Sequence, residues 1–324
     1  MRKVTSLWAS LALAGLLSLT VFGQQAPEKK DPEQNGINEH PPLEDAISET
    51  HHSVNIGGTP VNYLARAGTL VLRTEEGKPR ATVFFVSYTR EGADNPSQRP
   101  ITFTFNGGPG SSSVWLHLGA FGPKRVVMDE EGFELPPPYQ LTENQFSLLD
   151  VTDLVFIDPV TTGYSRSAPG EDPQAFHGVT EDIESVGEFI RLYTTRHKRW
   201  ASPKFLAGES YGTTRAAGLS GYLQTRHGIY LNGIILVSSI LDFQTLLFDT
   251  GNDLPFILYL PSYAAAAWYH KQLAPDLQRD LEETLKKVEE FAANDYLLAL
   301  WKGSQLTEAE RNKIAERVAQ YTGL

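Results

Sequence analysis

The sequence predicts an α/β fold, a mostly parallel sheet with crossover helices that leads into an all-helical segment, and three observations carry that prediction. Short β-rich runs alternate with helical patterns between about His51 and Leu254, the order expected of strands joined by crossover helices. The runs are apolar almost without interruption, as strands buried on both faces are. After Leu254 the strand signal stops and helical periodicity takes over.

In chain order, the candidate strands are Thr82–Thr89, Ile101–Phe105, Asp153–Ile157, Lys204–Ala207 and Gly233–Val237. Between them Ile183, Val186, Phe189, Ile190 and Tyr193 recur at helical spacing, and Thr213–Thr225 reads as a second helix. These elements define a core over residues 51–254. Beyond it Pro255, Pro261 and Pro275 punctuate aromatic segments, and Leu277–Trp301 and Thr307–Tyr321 read as amphipathic helices. Residues 255–324 therefore look like the start of a helical cap, with no further strong strand.

The chain opens with Arg2 and Lys3 before an almost uncharged apolar stretch, Val4 to Phe22. That is the pattern of a secretory leader, with residues 1–23 removed after small Gly23. The alternative is a retained membrane anchor, because the run approaches the roughly 20 residues that span a bilayer. Secretion or a periplasmic location follows from the first case, and membrane contact only from an uncleaved leader. Residues 24–50 are rich in Pro, Glu, Gln and Asn, with too few apolar side chains to offset ordering entropy. A flexible segment is expected there.

Composition excludes several chemistries. With 324 residues and 41% hydrophobic content the chain can bury a large core. A formal net charge of −11 argues against a nucleic-acid partner, whose phosphates an acidic surface repels. The absence of cysteine rules out disulfides, thiolate catalysis and Cys-ligated zinc. His51 and His52 lack a supporting ligand pattern and are expected on the surface. No metal and no cofactor is expected. The tryptophans at 115, 200, 268 and 301 are expected to be core or cap material.

The chemistry-bearing segment is Gly208-Glu209-Ser210-Tyr211-Gly212, a G-x-S-x-G string directly after a buried strand and directly before a helix. In that context Ser210 is a nucleophile held at a sharp turn, at the positive end of the following helix. Gly208 and Gly212 leave room where strand and helix backbones pass closely. A Gly-rich structural turn with an incidental serine is the plainer alternative. A second segment, Asn106-Gly107-Gly108-Pro109-Gly110-Ser111-Ser112-Ser113, follows the Ile101–Phe105 strand. It can turn backbone N–H groups toward an anion, but it lacks the lysine and spacing of a phosphate loop.

Together, the two segments resemble the serine carboxypeptidase family of α/β-hydrolases. The resemblance runs through Gly119-Ala120-Phe121-Gly122-Pro123 and Val155-Phe156-Ile157-Asp158-Pro159-Val160-Thr161-Thr162-Gly163-Tyr164-Ser165 to about Leu241. It looks like the N-terminal part of a bacterial-type secreted member. It implies Ser210 as acylating nucleophile and the N–H groups of Gly108 and Tyr211 as the oxyanion hole. It also implies that Asn106 and Glu209 bind the terminal carboxylate of a peptide. Chemistry agrees: a side-chain amide and a protonated carboxyl both donate to a carboxylate, whereas an ionised Glu209 repels it.

Two departures stand out. The acidic residue that completes the carboxylate-binding group in eukaryotic members aligns with Ala120. The triad order of α/β-hydrolases is Ser, then acid, then His, yet only His227 and His270 follow Ser210. His227 is expected on the surface at the end of the elbow helix. His270 is expected in the core or cap. Neither matches the family's catalytic histidine, and Asp242, Asp249 and Asp253 do not match its aspartate. The sequence thus leads to a carboxypeptidase acting on peptide or protein C-termini, present without a recognisable Asp and His and without the later strands. An esterase or acyltransferase on the same scaffold, or a non-catalytic protein that binds peptide C-termini, is the alternative. Because triad members act as a unit, the 324-residue chain should hydrolyse peptides poorly; turnover of a free-terminus peptide at the rate of a complete enzyme would overturn the incomplete-triad expectation.

Overall fold

The computed structural model describes residues 42–324. The expected leader, and most of the expected flexible segment, lie outside the described residues. β1 (Ala46–Ile56) and β2 (Thr59–Arg73) form a long antiparallel hairpin, and β3 (Pro79–Arg90) pairs antiparallel with β2. β4 (Ile101–Phe105) runs into the Gly-rich loop, the one-turn helix α1 (Val114–Leu116) and a π-helical turn, His117–Phe121. A small ribbon of β5 (Lys124–Val126) and β6 (Leu141–Glu143) follows. Then come β7 (Asp153–Ile157), the short β8 (Arg166–Ser167), α2 (Val179–Arg196), β9 (Lys204–Glu209), α3 (Tyr211–His227) and β10 (Gly233–Val237). Last are α4 (Leu254–Tyr269), α5 (Leu281–Phe291), a second π-helical turn, α6 (Leu297–Lys302) and α7 (Glu308–Thr322).

The main sheet has the order β1-β2-β3-β7-β4-β9-β10, with β8 added to β3. The four strands β7, β4, β9 and β10 are parallel to one another, and β1 to β3 extend them as an antiparallel flank. Every residue of β4 and β7 is buried, which explains their near-continuous apolar runs. Alternation sorts their side chains between two cores. Ile101, Phe103, Phe105, Val155 and Ile157 meet Val186, Phe189, Ile190 and Tyr193 of α2 and Ala216, Leu219 and Leu223 of α3. Leu154 and Phe156 face the other way, against Leu116, Leu149 and the turn end of the β1–β2 hairpin. Each fully buried Leu, Ile or Phe contributes roughly 1.5–3 kcal/mol. A third apolar cluster, with Leu260, Ala264, Val288, Phe291 and Tyr321, holds α4, α5 and α7 together.

Several expectations need correction. Regular structure begins at Ala46, ahead of His51, because β1 pairs with β2 along its whole length although its first eight residues are exposed. Pro261 does not break the chain: it lies inside α4, whose Leu260, Ala264 and Ala267 are buried. Trp115, Trp200 and Trp301 are exposed rather than core residues, whereas Trp268 packs against the helical cluster. His227 is not a surface residue, since its side chain is only 9% exposed and its ring packs edge-on against Tyr222. His270 caps α4 but is exposed there, not in a core. No helix among the described residues is long and apolar enough to cross a membrane.

Among the described residues β10 ends the sheet order, and Ile234 and Ile235 on it are 40% and 39% exposed. An apolar strand with an unpaired edge promotes self-association. Ile235→Lys should therefore raise the concentration at which the 324-residue chain stays monodisperse by light scattering; equal association of variant and wild type would show that the edge is not the cause.

Candidate active site

Three parallel strands deliver the site residues to one level. Phe105 pairs with Gly208, and Val237 with Glu209, so β4, β9 and β10 end side by side. At that edge β9 turns straight into α3 through Ser210, whose backbone is held at φ 56°, ψ −126°. A non-glycine residue there carries strain of about 1–3 kcal/mol. The turn is fastened: Ser210 donates its N–H to the Val237 carbonyl at 3.0 Å, and Thr213 returns a backbone N–H to the Ser210 carbonyl at 2.9 Å. A Cβ on Gly208 would collide with the Gly212 carbonyl, and one on Gly212 would lie 2.7 Å from the Phe105 carbonyl oxygen. Both glycines are needed for the reason the sequence suggested.

The Gly-rich loop meets this elbow. A Cβ on Gly107 would strike the Tyr211 backbone nitrogen, so loop and helix start are in contact. Among the described residues, the N–H groups of Gly108 and Tyr211 donate to no backbone carbonyl across the turns and loops. Asn106, fully buried, donates from Nδ2 to Glu209 Oε2 at 3.0 Å and accepts the Leu116 N–H on Oδ1 at 3.0 Å. The structure thus brings Asn106, Gly108, Glu209, Ser210 and Tyr211 together.

Ser210 makes no capping bond with its side chain. The histidine side-chain hydrogen bonds among the described residues go to Glu91, Thr50, Tyr88 and Thr161, not to Ser210. His227 stands at the far end of the 17-residue α3, about 25 Å away along the axis at 1.5 Å per residue. Ala120 lies exposed in the π-helical turn. No group of three potential metal ligands occurs among the described residues.

Sequence reasoning missed three supporting side chains. Asp158 accepts the Ser113 N–H at 2.9 Å, and a second backbone hydrogen bond from Tyr164 also favours its charged form, yet burial is the larger influence and pushes its pKa up. It ties the Gly-rich loop to the loop after β7. Arg215 and Asp182 form a buried pair behind the elbow, Nε to Oδ2 at 2.8 Å. One signal was available: Arg215 is the sole charge between Tyr211 and Thr225.

Residues 61–319 match the serine carboxypeptidase family. The chain belongs to that family. Serine carboxypeptidase-like 2 of Arabidopsis thaliana is 27% identical over 192 residues, covering 56% of this chain and 40% of the relative. The pheromone-processing carboxypeptidase KEX1 of Yarrowia lipolytica is 26% identical over 239 residues, covering 72% of this chain and 33% of the relative. The crystal structure of Kex1Δp, a prohormone-processing carboxypeptidase from Saccharomyces cerevisiae, aligns at a TM-score of 0.49 and 21% identity, covering 80% of this chain and 53% of the other. The match to each of the two curated family members spans less than half of that member's length. These relatives come from a plant and from yeasts, so they lend the bacterial-type expectation no support.

The loop carrying Leu116 is also pinned from the opposite face. Tyr88 Oη lies 2.7 Å from His117 Nε2, and the His117 ring stacks on Phe156. Burial pushes Tyr88 up and lowers His117 to about 4; burial, with nearby Arg66, lowers His197 to about 4 as well. Unfolded, both histidines take up a proton near pH 6.5, whereas folded they stay neutral until about 4. Unfolding therefore gains protons in that window, and stability should fall as pH drops through it. Urea midpoints between pH 6.5 and 5.5 should show this slope, and a His117→Phe/His197→Phe double variant should flatten it; an unchanged slope would contradict the assignment.

Proposed function

We propose that this chain carries the nucleophile and carboxylate-binding parts of a secreted serine carboxypeptidase, which releases C-terminal residues from peptides through an acyl-enzyme on Ser210. The observation that carries the proposal is the Asn106–Glu209 hydrogen bond, 3.0 Å, formed beside a serine at a strained strand-to-helix turn. Ser210 Oγ would attack the last peptide carbonyl and the terminal residue would leave as its amine, taking up a proton. Water would then release the acyl group and restore the serine. The N–H groups of Gly108 and Tyr211, which among the described residues donate to no backbone carbonyl across the turns and loops, suit the charge that develops on the carbonyl oxygen. The start of α3 adds its positive end.

Asn106 and Glu209 would hold the substrate's terminal carboxylate, which places the last peptide bond over Ser210. Secretion rests on the apolar leader of residues 1–23. Substitution of Ala120 for an acidic residue supports a looser grip on the carboxylate, the feature that favours an esterase or acyltransferase as second reading.

Calorimetric binding of a free-terminus peptide and its C-terminal amide to the 324-residue chain separates these. Wild type should favour the free acid by tenfold or more, and Asn106→Ala should lose that preference. Glu209→Gln, which keeps a side-chain donor beside Asn106, should retain it. Equal affinity for acid and amide in wild type would replace the carboxypeptidase by a general esterase.

A further inference from the structure

Arg215 is among the largest side chains with no exposure at all. Its guanidinium lies between two aromatic rings, 5.2 Å from the centroid of Phe105 and 5.3 Å from that of Tyr211. Nε donates to Asp182 Oδ2 at 2.8 Å, and Nη1 donates to the backbone carbonyl of Asn106 at 2.8 Å. Nη2 is buried without a partner among the described residues. One planar fork thus joins four parts of the fold: the end of β4, the first residue of the Gly-rich loop, the first residue of α3, and the first turn of α2.

We infer that Arg215 is a positioning residue that sets the orientation of Asn106, and through it the selectivity of the site for a free carboxylate. Asn106 has its side chain held on one side by Leu116 N–H and Glu209, and its backbone carbonyl held on the other by Arg215. The peptide plane that contains this carbonyl continues into Gly107, whose Cα abuts Tyr211 N. Rotation of that plane would turn both the amide and the loop away from Ser210. Only a guanidinium can meet this demand, because its donors lie in a fixed fork; an ammonium at the same place cannot bond Asp182 and the Asn106 carbonyl with one rigid geometry. Asp182 anchors the fork, since it lies on α2 rather than on either motif segment. The cation–π contacts with Phe105 and Tyr211 add to this anchoring.

The orientation half of this inference stands on the geometry alone, and the selectivity half rests on the carboxylate-binding role proposed for Asn106 and Glu209. The experiment measures them separately on the 324-residue chain. Amide hydrogen exchange reports orientation: the Leu116 N–H, which Asn106 Oδ1 accepts, should exchange at least tenfold faster in Arg215→Met and in Arg215→Lys. The Phe103 amide in the middle of β4 serves as the reference for general destabilisation. Leu219→Ala, a buried change on the same helix, should shift Leu116 and Phe103 together. The Lys variant keeps the charge and most of the volume, so it decides the question if the Met variant does not fold. Exchange at Leu116 that rises no more than at Phe103 in the folded variants would overturn the inference. Binding of the free-acid peptide and its amide then reports selectivity: the preference should drop by tenfold in Arg215→Lys and persist in Leu219→Ala. A preference that survives in Arg215→Lys would also overturn it, whereas a wild type with no preference would sink the carboxylate-binding role and leave the exchange result to judge Arg215.

Discussion

A serine held at positive φ between a strand and a helix is the constraint on which the remaining structure depends. Its strain, about 1–3 kcal/mol, must be offset by contacts that no relaxed turn could make. They come from every neighbouring element: the Val237 carbonyl of β10, Thr213 of α3, and the closely passing backbones of Phe105, Gly107, Gly208 and Gly212. Such closeness is possible only where parallel strands finish at one level, which the register of Phe105 with Gly208 and Val237 with Glu209 ensures. A parallel sheet gathers its C-terminal ends, and ligand sites form there. The sheet thus does more than supply a core; it makes residues 103 apart in sequence, Asn106 and Glu209, hydrogen-bonded neighbours.

Much of this was legible in the sequence because its signals were local. All five proposed strands are present; burial on both faces accounts for the near-continuous apolar runs of β4 and β7, whereas β10 carries such a run with no buried residue. The elbow was legible because strand, glycine and helix follow one another directly. The β1–β2 hairpin was missed because β1 is exposed along most of its length and alternates too little. Its turn, Gly57-Gly58 with φ of 55° and 87°, carried a hairpin signal that composition had masked. The helix over Leu254–Tyr269 was hidden by Pro261; burial of Leu260, Ala264 and Ala267 outweighs a proline cost of about 3 kcal/mol. Arg215 and Asp182 were missed for another reason. A helix pattern shows which face is buried, but not that a charged residue on that face finds a partner 33 positions earlier.

Two buried ionic clusters mark the two ends of the strands, and their chemistry differs. At the start of β7, Asp153 receives Arg99 at 2.9 Å, Arg199 at 2.6 Å and the Arg90 N–H at 3.0 Å. All of these partners are at the opposite end of the strands from Ser210, so that cluster holds the sheet together. At the other end Arg215, held by Asp182, and Asp158 bind backbone groups of the Gly-rich segment. A buried ion pair adds little net stability over apolar residues of similar volume. What it adds is direction, because hydrogen bonds to carbonyl and amide groups fix peptide planes that packing leaves free to rotate. Direction is what an oxyanion site and a carboxylate clamp require.

Binding and chemistry are therefore separable in this architecture. The N–H groups of Gly108 and Tyr211 and the Asn106–Glu209 pair are set by contacts among β4, β9, β10, α2 and α3, all of which the elbow itself needs. Removing the proton from Ser210 is a different task, and the helix that begins at the elbow does not perform it: its one histidine stands about 25 Å away. A carboxylate held equally well before and during reaction lowers the concentration needed for binding but does not lower the barrier. Rate must come from groups that engage as charge moves, the oxyanion donors on one side and a base on the other. In the proposed site the strained serine would prepare the first of these, because among the described residues the Tyr211 N–H at the head of α3 donates to no backbone carbonyl across the turns and loops. If these groups act as proposed, a base that reaches Oγ would find the electrophile's position already fixed.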